Sequence, residues 1–150
     1  MEFFPAILSR SESDTLMEWI RERMRETGYG LYAAEEKNSR RFIGFIGLAP
    51  IDFEAHFTPA IEIGWRLART AWGKGLATEG ANATLAHAFG QSGLNDLASL
   101  TTVKNQRSRR VMEKIGMTHD PRDDFLNPKL PPGHPQAPHV LYRIKREDYL

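Results

Sequence analysis

The apolar and polar positions of the chain switch several times between a helical period and a strand period. Near the start, apolar residues recur every three or four positions and charged residues fill the opposite face, which predicts a helix over about residues 13–27. Ser11 or Ser13 is the expected N-cap, and Gly28 is the expected end. The short apolar stretch at 3–8 is expected to pack against another surface.

Five further stretches are rich in β-forming residues and are separated by turns or by helical patterns. These predicted strands cover residues 30–36, 41–48, 60–67, 97–103 and 139–145. The first three have short connections, which predicts an antiparallel meander. A predicted helix over about 75–90 connects the third strand to the fourth, so these two strands are expected to run parallel.

The last third of the chain combines a helix, a long loop and a final strand. A helix is predicted over about 106–115, capped by Asn105 and ended by Gly116. The following stretch, 120–138, contains six prolines and no periodicity, which is typical of a functional loop. The predicted class is α+β: one domain over 1–150, with a mixed sheet and helices on its faces.

Composition excludes some classes of function. The 150 residues can form one domain with a sizeable core, and a net charge of +1 gives no overall attraction to nucleic acid or to an anionic membrane. The absence of cysteine excludes disulfides, thiolate metal ligands and a cysteine nucleophile, and is compatible with the cytoplasm. The five histidines are scattered, so no metal site is expected. Neither a signal peptide nor a membrane-spanning stretch is visible.

A glycine-containing loop carries the candidate chemistry. It lies at 72–77, between the predicted third strand and the helix after it. Backbone N–H groups at the positive end of a helix favour a phosphate group. The P-loop motif fails because Gly75 follows Lys74 and Ala68 replaces the first glycine, and the dinucleotide fingerprint fails because Thr78 replaces the third. From this loop alone, a turn that binds nothing stays an equal alternative.

Two segments resemble the GNAT superfamily of N-acetyltransferases. The first is Trp72-Gly73-Lys74-Gly75-Leu76-Ala77, which resembles the acetyl-CoA loop Q/R-x-x-G-x-G/A with Trp72 in place of the usual Gln or Arg. The second runs from Asn105 to Met117 and resembles the family segment N-x-x-S-x-x-x-x-x-x-x-G-[FM]. The longer string through Gly80 is similar to the RimJ/RimL branch. The resemblance covers nearly the whole chain from Phe3 onward.

The resemblance implies an acetyl-CoA site in a fork between the third and fourth strands. The residues expected to bind this cosubstrate are Ile63, Trp65 and Leu67 by their backbone, the N–H groups of Trp72, Gly73, Lys74, Gly75, Leu76 and Ala77, the charges of Lys74 and Arg69, and the Asn105 side chain. The simpler interpretations are that the basic side chains only face solvent and that Asn105 only caps its helix. No metal is implied.

The reaction implied is direct attack of an amine on the acetyl thioester. Met112 stands where much of the superfamily has a proton-donating Tyr, so the resemblance points to Ser108 as donor, although a hydrogen bond in the first helical turn explains Ser108 about equally well. Glu62 is the candidate base, because its strand parity is opposite to that of the apolar Ile61 and Ile63; a solvated or ion-paired strand residue is the alternative. His56 is a weaker candidate for the base.

The acceptor is expected to be a protein N-terminus or a small amine, with neither nucleic acid nor a membrane as a partner. The alternative function is a non-catalytic acyl-CoA-binding or sensor module. Relative to the family, a strand and a helix are expected before the stretch at 3–8. Without that strand, residues 30–36 form an exposed edge, which predicts a homodimer or a compromised fragment.

Overall fold

The structure is a computed structural model that describes residues 7–149. The helices are α1 (Arg10–Thr27), α2 (Leu76–Gly90) and α3 (Gln106–Lys114). The strands are β1 (Leu31–Glu36), β2 (Arg41–Pro50), β3 (Ile61–Leu67), β4 (Asp96–Thr102), β5 (Thr118–His119), β6 (Phe125–Leu126) and β7 (Pro138–Lys145). Short 3₁₀ turns lie at 69–71, 121–123 and 146–148.

All seven strands belong to one mixed sheet in the order β1-β2-β3-β4-β7-β5, with β6 paired to β7. The antiparallel β1-β2-β3 meander and the parallel β3-β4 pair confirm the predicted topology and the α+β class. The parallel pair is short, because its only register partners are Glu62 and Ala98. Beyond that pair β3 and β4 separate, which opens the predicted fork. At the far side of the sheet, β1 pairs with β2 and has no second partner among the described strands, as expected for an edge.

The main core lies where α2 and α3 pack on one face of the sheet. Its fully buried members include Leu48, Ile63, Leu85, Met112 and Tyr142. The small residues of α2 let the helix approach closely, as predicted: Ala81 and Ala88 are fully buried. A Cβ at Gly80 would lie 2.3 Å from the Ile46 Cδ1 atom. This packing fixes the start of α2, and therefore the glycine-containing loop, against β2 and β3.

Helix α1 begins earlier than predicted, and its N-cap is Ser9 rather than Ser11 or Ser13. The Glu12 N–H donates to Ser9 Oγ at 3.2 Å, and the Ser9 N–H donates to the Glu12 carboxylate at 2.7 Å. This reciprocal capping box binds two amides at once, which neither later serine achieves. Gly28 ends the helix with a φ of +78°, as predicted.

The apolar stretch before α1 is only partly described. Residues 3–6 lie outside the described part, while Ile7 is 82% exposed and Leu8 is 37% exposed. Ile7 is therefore not packed against the described part of the fold, whereas most of the Leu8 surface is covered. The loop predicted at 120–138 is also not fully irregular, because β6 adds to β7 within it. Within residues 7–149, no helix is long and apolar enough to cross a bilayer.

Candidate active site

The fork exposes the backbone of alternate residues of β3. The N–H of Ala68 donates to the Ile43 carbonyl oxygen, and the N–H of Ile51 donates to the Ala60 carbonyl oxygen. In an antiparallel pair, hydrogen-bonded residues alternate with non-bonded ones, so the even-numbered residues of β3 bond to β2. The odd-numbered residues Ile63, Trp65 and Leu67 therefore direct their N–H and C=O groups towards β4. These are the three β3 residues predicted to bind acetyl-CoA.

The same argument applies to β4, whose odd-numbered residues bond to β7. The N–H of Val103 donates to the Pro138 carbonyl oxygen, and the N–H of Arg146 donates to the Asn95 carbonyl oxygen. Leu100 and Thr102 therefore direct their backbone groups towards β3. Both strands offer backbone groups to the fork, which suits an extended ligand that pairs like a strand.

Two side chains already occupy backbone acceptors of β3. The Ser99 hydroxyl, which is buried, donates to the Ile63 carbonyl oxygen at 2.8 Å. The Trp72 indole Nε1–H donates to the Leu67 carbonyl oxygen at 3.0 Å. Trp65 lies between these two positions, and both its N–H and its C=O face the fork beyond the last β3-β4 register pair. Trp65 is therefore the β3 residue best placed to hold an extended ligand.

The glycine-containing loop has the geometry of an anion site. Gly73 and Gly75 have φ values of +72° and +76°, and α2 begins at Leu76 without a side-chain cap. The first hydrogen bond of the helix runs from the Glu79 N–H to the Gly75 carbonyl oxygen at 3.0 Å. The N–H groups of Leu76, Ala77 and Thr78 therefore precede the helical ladder, at the positive end of the helix. They are the groups that would hold a pyrophosphate.

Trp72 differs from its predicted role. Its backbone N–H donates to the Arg69 carbonyl oxygen at 3.1 Å and closes the 3₁₀ turn, so this amide is not offered to a phosphate. Its side chain instead organises the loop. The guanidinium carbons of Arg69 and Arg107 lie 5.5 and 4.6 Å from the indole centroid, which brings the first turn of α3 against the loop.

Lys74 lies in the loop as predicted, and its charge has a partner. Its ammonium is 3.1 Å from the Glu36 carboxylate at the end of β1. The Ser39 hydroxyl donates to the same carboxylate. The hydroxyl of Ser39 and the ammonium of Lys74 lower the pKa of Glu36. An anion bound at the loop would compete with Glu36 for Lys74.

Ser108 and Asn105 form one hydrogen-bonded unit at the start of α3. The Asn105 Oδ1 accepts from the Ser108 N–H at 3.2 Å, which confirms the predicted cap. The Asn105 Nδ2 donates to Ser108 Oγ at 3.1 Å and to Thr101 Oγ1 at 3.0 Å. Because Ser108 Oγ accepts from Asn105, its own O–H is directed elsewhere and is suited to donation. Met112 is buried in the core and offers no proton.

Glu62 lies at the base of the fork. The residue is partly buried overall, whereas its carboxyl group is enclosed by protein, and this burial raises its pKa to about 7. The Leu100 N–H donates to the Glu62 carboxylate, and this hydrogen bond lowers the pKa against the effect of burial. Such a carboxyl exchanges protons near neutral pH, as a general base must. His56, the weaker candidate, instead pairs with Asp123 at 3.2 Å.

Two charged residues near Glu62 were not predicted from the sequence. The Asp52 carboxylate raises the pKa of Glu62 and the Lys129 ammonium lowers it. Asp52 and Lys129 are themselves 2.5 Å apart, in an ion pair between the loop 51–60 and the segment after β6. Because 77 residues separate them in the chain, no local pattern reveals the pair.

A cavity of about 760 Å³ lies beside Glu62, at the ends of β3, β4 and β7 away from the glycine-containing loop. Its lining includes Ala98, the register partner of Glu62, and Ala60, two residues before Glu62 on the same face of the sheet. Phe57 and Arg143 also contribute. The cavity and the fork therefore lie at opposite ends of the short β3-β4 pair. The described residues, 7–149, contain no cluster of His, Asp and Glu suited to a metal ion.

Comparison with known proteins identifies the family. The model described as "Acetyltransferase (GNAT) domain" matches residues 1–118. The chain belongs to this family. The GNAT chain is 40% identical to YkkB of Bacillus subtilis over 103 residues, which cover 67% of this chain and 59% of YkkB.

Two further proteins are similar to this GNAT chain. FsC-acetyl coenzyme A-N(2)-transacetylase of Aspergillus fumigatus is 34% identical over 114 residues, which cover 73% of this chain and 48% of that enzyme. The chain thus spans about half to three-fifths of the length of these curated relatives. The fold matches the crystal structure of a GNAT-family acetyltransferase from Bacillus anthracis with a TM-score of 0.73, at 23% identity, over 98% of this chain and 81% of that one.

Proposed function

We propose that this GNAT chain transfers the acetyl group of acetyl-CoA to a primary amine by direct attack. The observation that carries the proposal is the position of Glu62, an enclosed carboxyl with a pKa of about 7 at the base of a fork. The fork and the loop fit the cosubstrate. Trp65 offers backbone groups to an extended arm, and the N–H groups of Leu76 and Ala77 suit a pyrophosphate.

Each residue of the site has a distinct task. Glu62 accepts a proton from the acceptor ammonium, directly or through water, and so produces the neutral amine that can attack. Acetyl-CoA, when bound, supplies the thioester carbonyl that this amine attacks. Ser108 donates a proton towards the leaving sulfur, and Asn105 holds the Ser108 hydroxyl in place through its Nδ2. Met112 cannot take this task, because its thioether has no proton to donate.

We further propose a branch of the family, an oligomeric state, a location and a class of acceptor. Membership of the RimJ/RimL-like branch is supported by the string at 72–80 and by the segment at 105–117. A homodimer is supported by the outer edge of β1, which pairs with no strand among residues 7–149. A cytoplasmic location is compatible with the absence of cysteine. The acceptor is a small amine or a protein N-terminus.

Calorimetric titration with acetyl-CoA, followed by an amine panel scored by released thiol, tests the function. We expect binding, and turnover of at least one amine that falls about 100-fold or more in Glu62→Gln. A folded sample that binds no acetyl-CoA would contradict the proposal. Binding without turnover of any amine or protein N-terminus would favour the non-catalytic acyl-CoA sensor instead.

A further inference from the structure

Lys129 carries a primary amine that is ion-paired with the loop preceding β3, the strand of Glu62. The segment that carries it is fixed locally: the Lys129 N–H donates to Asn127 Oδ1 at 3.0 Å, and the Asn127 N–H donates to the Ala137 carbonyl oxygen at 2.8 Å. The ammonium group is 2.5 Å from the Asp52 carboxylate, in the loop between β2 and β3. A lysine on one loop is thus held by a carboxylate on the other. Asp52 directly follows Ile51, whose N–H donates at 3.0 Å to the carbonyl oxygen of Ala60, two residues before Glu62.

The charges form one cluster around Glu62. Asp52 and Lys129 both act electrostatically on the Glu62 carboxyl, with opposite signs. The Leu100 N–H, which faces the fork, donates to the same carboxyl. The Glu62 carboxyl thus accepts from a backbone group of the fork and lies within electrostatic range of the Lys129 ammonium. A primary ammonium beside this carboxylate is the chemical group that an external acceptor would bring to the site.

We infer that Lys129 is an acetylation site of the protein itself, modified within the same chain by the acetyl group bound in the fork. The inference rests on the proposed function, since it uses the same fork and the same base. The side chain of Lys129 is 52% exposed, so it can leave Asp52 and rotate towards Glu62 without unpacking the core. Its four-carbon stem gives the amine this reach.

The step balances in atoms and charge. The Lys129 ammonium gives one proton to the Glu62 carboxylate, and the neutral amine attacks the thioester carbonyl carbon. The new N–C bond forms and the C–S bond breaks, with the electron pair leaving on sulfur. The sulfur takes one proton from Ser108, which recovers it from solvent, and the amide nitrogen loses its second proton to water. The products are Nε-acetyl-Lys129 and free CoA.

Acetylation would change the site that performs it. The modified side chain has no positive charge, so Asp52 loses its cation. The remaining Asp52 charge raises the pKa of Glu62, and the loss of the Lys129 ammonium raises it further. A smaller fraction of Glu62 is then ionised at neutral pH. The modified protein is expected to be a slower enzyme for an external amine near pH 7.

The test uses the full chain incubated with acetyl-CoA in the absence of any added amine, followed by intact mass measurement and peptide mapping. We expect one acetyl group per chain, located on Lys129, with a first-order rate that does not depend on protein concentration. Exposed Lys114 reports the uncatalysed background in the same sample. Glu62→Gln is expected to slow labelling of Lys129 about 100-fold while leaving Lys114 unchanged. Lys129→Arg should remove the modification, and Lys114→Arg should not.

The outcomes separate this inference from the proposed function. If the protein turns over an external amine but acetylates Lys129 no faster than Lys114, the inference is wrong and the function stands. If Lys129 is labelled equally in wild type and in Glu62→Gln, the labelling is chemical background and the inference is again wrong. If the folded protein binds no acetyl-CoA, both fail together.

Discussion

The indole Nε1 of Trp72 donates a hydrogen bond to the carbonyl oxygen of Leu67 across 3.0 Å. This bond ties the first residue of the glycine-containing loop to the last residue of β3, so the loop and one edge of the fork form a single unit. The Arg107 guanidinium lies against the same indole and brings α3 to that unit. Trp72 stands where the family motif usually has Gln or Arg, and the structure gives this departure a physical role.

Trp72→Phe tests this role by removing the donor and keeping an aromatic ring. We expect the free energy of unfolding to fall by about 1 kcal/mol, the typical net value of one hydrogen bond. We also expect the dissociation constant for acetyl-CoA to rise several-fold, because the loop is less firmly placed. Urea denaturation and calorimetry measure the two effects. Trp19→Phe in α1 is the matched control, and an equal loss of affinity there would refute the assignment.

Gly75→Ala tests the backbone conformation of the loop. At a φ of +76°, an L side chain costs about 1–2 kcal/mol, although nothing lies within 4 Å of the added Cβ. We therefore expect strain without a clash, and weaker acetyl-CoA binding as the loop relaxes. A bulky residue such as Val should abolish binding by covering the loop amides. Gly90→Ala, at the end of α2 and also in open space, should leave affinity unchanged.

The raised pKa of Glu62 has two consequences for pH dependence. Activity measured as kcat/KM should rise with pH through about 7, since only the carboxylate can accept a proton. Stability should change in the opposite direction. Between the ordinary pKa of 4.5 and about 7, the folded state holds a proton that the unfolded state has released, so stability falls as pH rises across this window. Glu62→Gln should remove both slopes; a wild-type rate that is flat from pH 6 to 8 would contradict the assignment.

Ser108→Ala separates a catalytic hydroxyl from a structural one. The cap at Asn105 Oδ1 uses the backbone N–H of residue 108 and survives the change. We therefore expect acetyl-CoA affinity and thermal stability to change little. We expect kcat to fall at least tenfold, because the leaving sulfur loses its proton donor. The measurement is steady-state kinetics over several substrate concentrations. Ser13→Ala, in exposed α1, is the control; an unchanged kcat in Ser108→Ala would remove Ser108 from the mechanism.

The sequence predicted the parts of this structure that depend on local patterns. The strand and helix periods gave the meander and the crossover, and the crossover predicted that β3 and β4 run parallel. The contacts that complete the site are not local. The Ser99 hydroxyl reaches the Ile63 carbonyl oxygen over 36 residues, and Lys129 reaches Asp52 over 77. The raised pKa of Glu62 arises from burial, which no single-sequence pattern measures.

Glu36→Gln addresses the competition for Lys74. In the wild type, the Lys74 ammonium is 3.1 Å from Glu36, so a bound pyrophosphate must either share this cation or displace the carboxylate. With a neutral amide at position 36, Lys74 can turn to the phosphate without losing an ion pair. We expect acetyl-CoA to bind a few-fold more tightly to this variant. The gain in affinity should be larger at low ionic strength, where exposed charges are least screened. Calorimetry at two salt concentrations measures this effect.

Glu35→Gln is the control, because the Glu35 carboxylate of the wild type pairs with Arg40 and not with Lys74. We expect the acetyl-CoA affinity of this variant to be unchanged. Equal or weaker binding in Glu36→Gln would mean that Glu36 positions Lys74 for the ligand and does not compete with it.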